Sequence, residues 1–178
     1  MNRFIAVTAL GVLAFSTSST AGSPYAGQET RAIKALSQQE IEDYQKGKGL
    51  GYAKAAELNQ YPGPSHVLEM AAPLTLTKEQ TTQTQVIFDV MQTQASALGK
   101  QLVEKERELD RQFANGSINA TALKALLSDI GVLQAKIRYV HLSAHLEQKL
   151  LLSQQQVQLY DRLRGYGTSP GGGHNHSH

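Results

Sequence analysis

The sequence predicts an all-α protein: one long antiparallel helical hairpin, with short helices before it and a closing helix after it. Three observations point there. Apolar residues recur at spacings of three and four through residues 87–113 and again through 123–144. A Ser/Thr-x-x-Glu/Gln pattern, the signature of a helix start, occurs at Ser37, Thr77 and Ser153. No segment alternates like a strand, and neither Trp nor Cys occurs, so a core must be built from Leu, Val, Ile and Ala. The missing Cys also removes disulfides, thiolate metal sites and cysteine nucleophiles.

The chain opens on a targeting pattern. Arg3 precedes an apolar run of 12 residues, "FIAVTALGVLAF", and "STSSTA" then places Ser19 and Ala21 at the −3 and −1 positions of a cleavage site. Twelve helical residues span about 18 Å, short of the roughly 30 Å of a bilayer core. Residues 1–21 therefore read as a cleaved secretory signal, with a buried N-terminal helix as the alternative. The mature chain is expected in the periplasm of a Gram-negative source.

Residues 22–75 form an N-terminal extension. "LSQQE" pairs Ser37 with Glu40 as a capping box, and "KGKGLG", residues 46–51, ends that helix. "YAKAAEL" contains good helix formers, "NQYPGPSH" is a turn, and Pro64 suits the first turn of another short helix, "PSHVLEMAA".

The hairpin domain spans residues 76–166. "LTKEQ" caps a helix over residues 77–114, with Ile87, Met91, Ala95, Leu98, Leu102, Leu109 and Phe113 along one seam. "NGSIN", residues 115–119, breaks it. Leu123, Leu126, Ile130, Leu133, Ile137, Val140 and Ala144 form the stripe of the return helix. A short polar break between two long striped helices implies an antiparallel hairpin. "LSQQQ" then starts the last helix, and residues 167–178 read as a Gly/His-rich tail. "EKERELDR", residues 104–111, reads as a solvated face with pairs such as Glu104–Arg107.

The paired motifs, "LTKEQ" and "LSQQQVQLYDRL", together with the order of elements, resemble the LTxxQ signature of the periplasmic Spy/CpxP superfamily. The second copy has Ser in place of Thr. The resemblance implies a small helical periplasmic protein, often a homodimer, acting as an ATP-independent holdase chaperone, a modulator of envelope-stress signalling, or a heavy-metal sensor. The histidines look most like those of the CnrX-type sensor branch. "HVLEM" puts His66 and Met70 before the first long helix, and "HLSAH" puts His141 and His145 near the end of the return helix. By that resemblance these four residues are the metal ligands, with the Met and one His exchanged. The sensors also use a carboxylate from the first long helix; Asp89 is nearest in position, and Glu69 is a local substitute.

The residues themselves give partial support. Side chains four apart share a helix face, so His141 and His145 can chelate one ion or stand in solvent. In a hairpin, "HVLEM" and "HLSAH" can meet at the open end. Three imidazoles and a thioether suit Cu, Ni, Co or Zn, not Mg or Ca. Met70 as plain core packing is the competing reading. His174, His176 and His178 form a weak tail site, or a solubilising tail. A formal charge of +2 argues against nucleic acid as a partner. "GKGLG" follows no strand and lacks nucleotide-loop spacing, and no nucleophile elbow or HExxH occurs, so no enzyme is expected. The expected function is transition-metal binding in heavy-metal sensing or resistance or in the envelope stress response, with unfolded envelope proteins or a membrane-bound signalling partner as candidate partners. The alternative is a chaperone for unfolded envelope proteins.

Overall fold

The computed structural model describes residues 22–166, so the expected signal (1–21) and the tail histidines 174, 176 and 178 lie outside the described part. Six helices follow in order: α1 Gln38–Gln45, α2 Lys54–Glu57, α3 Pro64–Glu69, α4 Lys78–Ala114, α5 Ala120–Leu151 and α6 Gln154–Leu163. No strand occurs among the described residues, and no helix there is long and apolar enough to cross a membrane. The protein is an all-α hairpin: α4 and α5 pack along their length, and α1 to α3 lie against them. At 1.5 Å per residue α4 is about 55 Å long.

All three capping boxes form. Ser37, Thr77 and Ser153 each accept a hydrogen bond from the N3 backbone, and Glu40, Gln80 and Gln156 reach back to the cap. Two of them have a further task. The Gln80 amide donates to Gln156 Oε1 at 3.0 Å, and the Gln156 amide donates to Gln80 Oε1 at 3.1 Å. The same amides reach the carbonyls of Leu151 and Leu74. The starts of α4 and α6 are thereby clasped, which closes the open end. Glu caps a helix as well as Gln does, but it has no amide to donate. Two carboxylates in this position would also repel each other.

Three apolar clusters are strung along the hairpin. Leu102, Ile130, Leu133 and Ile137 form the centre; Ile33, Leu36, Ile41 and Val103 fix the N-terminal segment to α4; Val67, Leu74, Leu152, Val157 and Tyr160 pack α3 against α6. The expected α5 stripe is buried from Leu126 through Ala144. The α4 seam is less regular: Ala95 and Leu102 are buried, but Phe113 is 57% exposed. The difference has a cause. The short helices lie over α4, so Val103 and Gly99, off the seam, are buried as well.

Gly99 explains how α1 comes so near. A Cβ there would stand 2.0 Å from the Tyr44 carbonyl oxygen, so only Gly admits the end of α1. The charge run is solvated as expected, with Glu104–Arg107 and Glu108–Arg111 pairs on one turn. It also ties elements together, through Lys105–Asp129 at 2.6 Å and Lys34–Asp110 at 3.1 Å. Such exposed pairs contribute little each.

Candidate functional site

A cleft of about 550 Å³ opens where the 47–51 loop, α2 and the start of α3 meet the middle of α4 and the last third of α5. His66, His141 and His145 all line it, and so do Glu57 and Met91. It does not lie at the mouth of the hairpin. His145 and His141 are six and ten residues from the end of α5, about 9 and 15 Å in at the helical rise.

His141 and His145 share one face of α5, as their spacing requires, and that face is covered. They are 3% and 7% exposed, so the solvent-facing alternative does not hold. His145 Nδ1 lies 2.7 Å from the Tyr61 carbonyl oxygen. A carbonyl only accepts, so Nδ1 carries a proton and donates it, which leaves Nε2 as the ring nitrogen that can ligate an ion. That nitrogen faces Gly63, 3.2 Å from the point a Cβ would occupy. Any larger residue at 63 would fill the space in front of it.

His141 is the less settled of the two. Its Nε2 is buried and has no hydrogen-bond partner among the described residues. Its Cε1–Nδ1 edge lies 4.0 Å from the Cβ position of Gly49. Burial, followed by the neighbouring His145, pushes its pKa down to about 4. The ring is therefore neutral at pH 7, the form that binds metals.

Glu57 is the residue that sequence reasoning passed over. Its Oε1 accepts from the Tyr160 hydroxyl at 2.6 Å, the Tyr166 hydroxyl at 3.1 Å and Arg164 Nε at 3.3 Å. Its Oε2 is buried, has no hydrogen-bond partner among the described residues and lies 3.8 Å from His145 Nδ1. In sequence Glu57 belongs to "YAKAAEL", where Glu is simply a good helix former. Nothing local marks it, because its partners come from more than a hundred residues away. Met91 was legible only as a seam residue.

The remaining expected ligands are placed differently. Met70 does not line the cleft. It is the C-cap of α3, beyond the last helical residue, and packs against the Val67–Leu74–Tyr160 cluster as core. The thioether that does line the cleft belongs to Met91. His66 lines the cleft, but its side chain is 38% exposed and its Nδ1 pairs with Glu69 Oε2 at 2.9 Å. That contact, first of all, holds the Glu69 carboxyl below the usual range. Asp89 is exposed on α4 and accepts from Gln85 at 2.8 Å, away from the cleft lining.

Among the described residues, no three His, Asp or Glu side chains are gathered closely enough to hold an ion as they stand. The donor chemistry nevertheless fits a borderline metal. Two imidazoles, a carboxylate oxygen and a thioether line one cleft, and two of the buried donor atoms lack a partner among the described residues. Closing a coordination shell requires side-chain movement, and His66 is the most exposed of the three histidines. Compared with known proteins, the chain matches no family model, no curated sequence and no solved structure.

Proposed function

We propose that this chain is a non-enzymatic periplasmic protein that binds a transition metal ion in metal sensing, metal resistance or the envelope stress response. The observation that carries this reading is the pair of unpartnered buried donors, His141 Nε2 and Glu57 Oε2, lining one cleft with His145. A buried polar atom without a partner costs stability, on the order of 1–3 kcal/mol each, unless something ordered satisfies it. A dication that both side chains move to ligate satisfies the two together. His145 supplies the orienting contact that metal-binding imidazoles use, an Nδ1–H donated to a backbone carbonyl.

The mechanism is differential ligation. His141 and His145 stand on α5, Glu57 on α2 and His66 on α3. An ion held by donors from all three favours the state in which the short helices are docked on the hairpin, by the free energy of binding. Membership of the LTxxQ family remains part of the proposal. A membrane-bound signalling partner would read that docked state.

The test is titration of the full chain carrying His174→Ser, His176→Ser and His178→Ser with Cu(II), Ni(II), Co(II) and Zn(II). One ion should bind with sub-micromolar affinity, weakened at least about tenfold by His141→Ala or His145→Ala. Equal affinity in both variants would refute the site.

A second reading has its own support. Val132, Tyr139 and Leu146 recur every seven residues along α5 and are exposed, as are Leu150 on α5 and Val86 and Val90 on α4. Such an apolar strip suits loose holding of unfolded envelope proteins, or a second copy of this chain. Suppressed client aggregation that survives His141→Ala but is lost in Tyr139→Ser/Leu146→Ser would favour it.

A further inference from the structure

The cleft is larger and more basic than a bare ion needs. At about 550 Å³ it has room for well over ten waters, at about 30 Å³ each. Lys48, Lys54 and Arg164 line it beside the histidines, and Glu57 is the only acid among the lining residues. Two of those cations are balanced: Lys48 pairs with Asp43 at 3.2 Å, and Arg164 donates to Glu57. Lys54 is not. It makes no ion pair among the described residues, and it folds back over Gly51, with Nζ 3.9 Å from that glycine's Cβ position.

These facts create a conflict for a naked dication. It would find few protein donors to complete its shell, in a cleft lined by three cationic side chains and one acid. A ligand that brings both the metal and its own negative charge resolves the conflict. Resting on the metal-binding reading, we propose that the cleft takes its transition ion as a complex with a small polycarboxylate. His141 and His145 fill the positions the chelator leaves open. Lys54 holds the chelator's free carboxylates. The chelator's own oxygens then complete the shell that the protein donors leave open.

The proposal is tested by titrating the full chain, with its three tail histidines changed to Ser, with Ni(II), with Ni(II) plus one equivalent of citrate, and with citrate alone. Citrate competes for nickel in solution, so an indifferent protein must bind nickel more weakly when citrate is present. Here the apparent affinity should rise at least about tenfold on adding citrate, and Lys54→Met should remove that gain. Citrate that merely weakens nickel binding overturns the chelate proposal and leaves the metal reading standing. A citrate gain that persists in Lys54→Met also overturns it. No binding of either nickel form overturns the metal reading itself. Citrate alone binding as tightly as its nickel complex makes the cleft an anion site and overturns both. Far-ultraviolet circular dichroism confirms that Lys54→Met is folded, as expected for an exposed side chain.

Discussion

The two halves of α5 bury one continuous face, and they do it with different chemistry. From Leu126 to Ile137 the buried positions are Leu, Ile, Leu and Ile. From Val140 to Gln148 they are Val, His, Ala, His and Gln. The distal half packs against the apolar seam of α4, around Leu102. The proximal half faces the cleft and the short helices, and it holds two atoms, His141 Nε2 and Gln148 Oε1, that none of the described residues satisfies. The same helical register thus serves cohesion at one end and leaves polar groups in reserve at the other. Burying polar groups without partners weakens a fold, and two such atoms, His141 Nε2 and Glu57 Oε2, belong to residues lining one cleft, which separates a site from a scaffold.

Substitutions should tell the halves apart. Leu133→Ala removes buried apolar volume in the distal half and should cost about 2–5 kcal/mol in urea unfolding at pH 7. His141→Leu, in the proximal half, should be neutral or stabilising by about 1 kcal/mol in metal-free protein, because it removes an unsatisfied nitrogen. A loss in His141→Leu as large as that in Leu133→Ala would erase the distinction.

The pH dependence sharpens it. The folded pKa of His141 is about 4 against an ordinary 6.5. Below pH 6.5 the unfolded chain takes up a proton that the folded chain does not. Stability should therefore fall as pH drops from 6.5 to 4, by up to about 3 kcal/mol from this residue, and no further below that. His145 is the titratable neighbour that acts on it; Lys48, Lys54, Glu57, His66, Arg164 and Tyr166 also line the cleft. Comparing wild type with His141→Leu in metal-free buffer isolates the effect: the variant should lack this part of the slope.

Packing against the hairpin is tested elsewhere. Gly99→Ala drives a methyl into the Tyr44 carbonyl and should cost about 1–3 kcal/mol, by displacing α1. Tyr160→Phe takes a hydroxyl from Glu57 and should cost about 1–3 kcal/mol. Smallest is Thr77→Ala, which loses the α4 cap at about 1 kcal/mol. Thermal denaturation ranks all three.

Much of this architecture was legible in the sequence because its causes are local. A capping box is written within four residues, and a helical stripe repeats within seven. So the three caps, the 115–119 break and the buried face of α5 could all be read directly. The pairing of Gln80 with Gln156 could not, since a cap looks the same whether or not its amide has a distant partner. The site divides in the same way. His141 and His145 are visible as a pair because one helix places them. Glu57 depends on Tyr160, Arg164 and Tyr166, which only the tertiary fold delivers. Met70 was assigned by the resemblance alone, and its contacts with Val67, Leu74 and Tyr160 are made by elements that only the tertiary fold brings together.

X-ray absorption fine structure on the nickel-loaded chain, with its tail histidines replaced by Ser, counts the ligands directly. Two imidazoles from α5 should surround the ion, falling to one in His145→Ala. A spectrum with no imidazole scattering, or one unchanged by that substitution, would contradict the assignment.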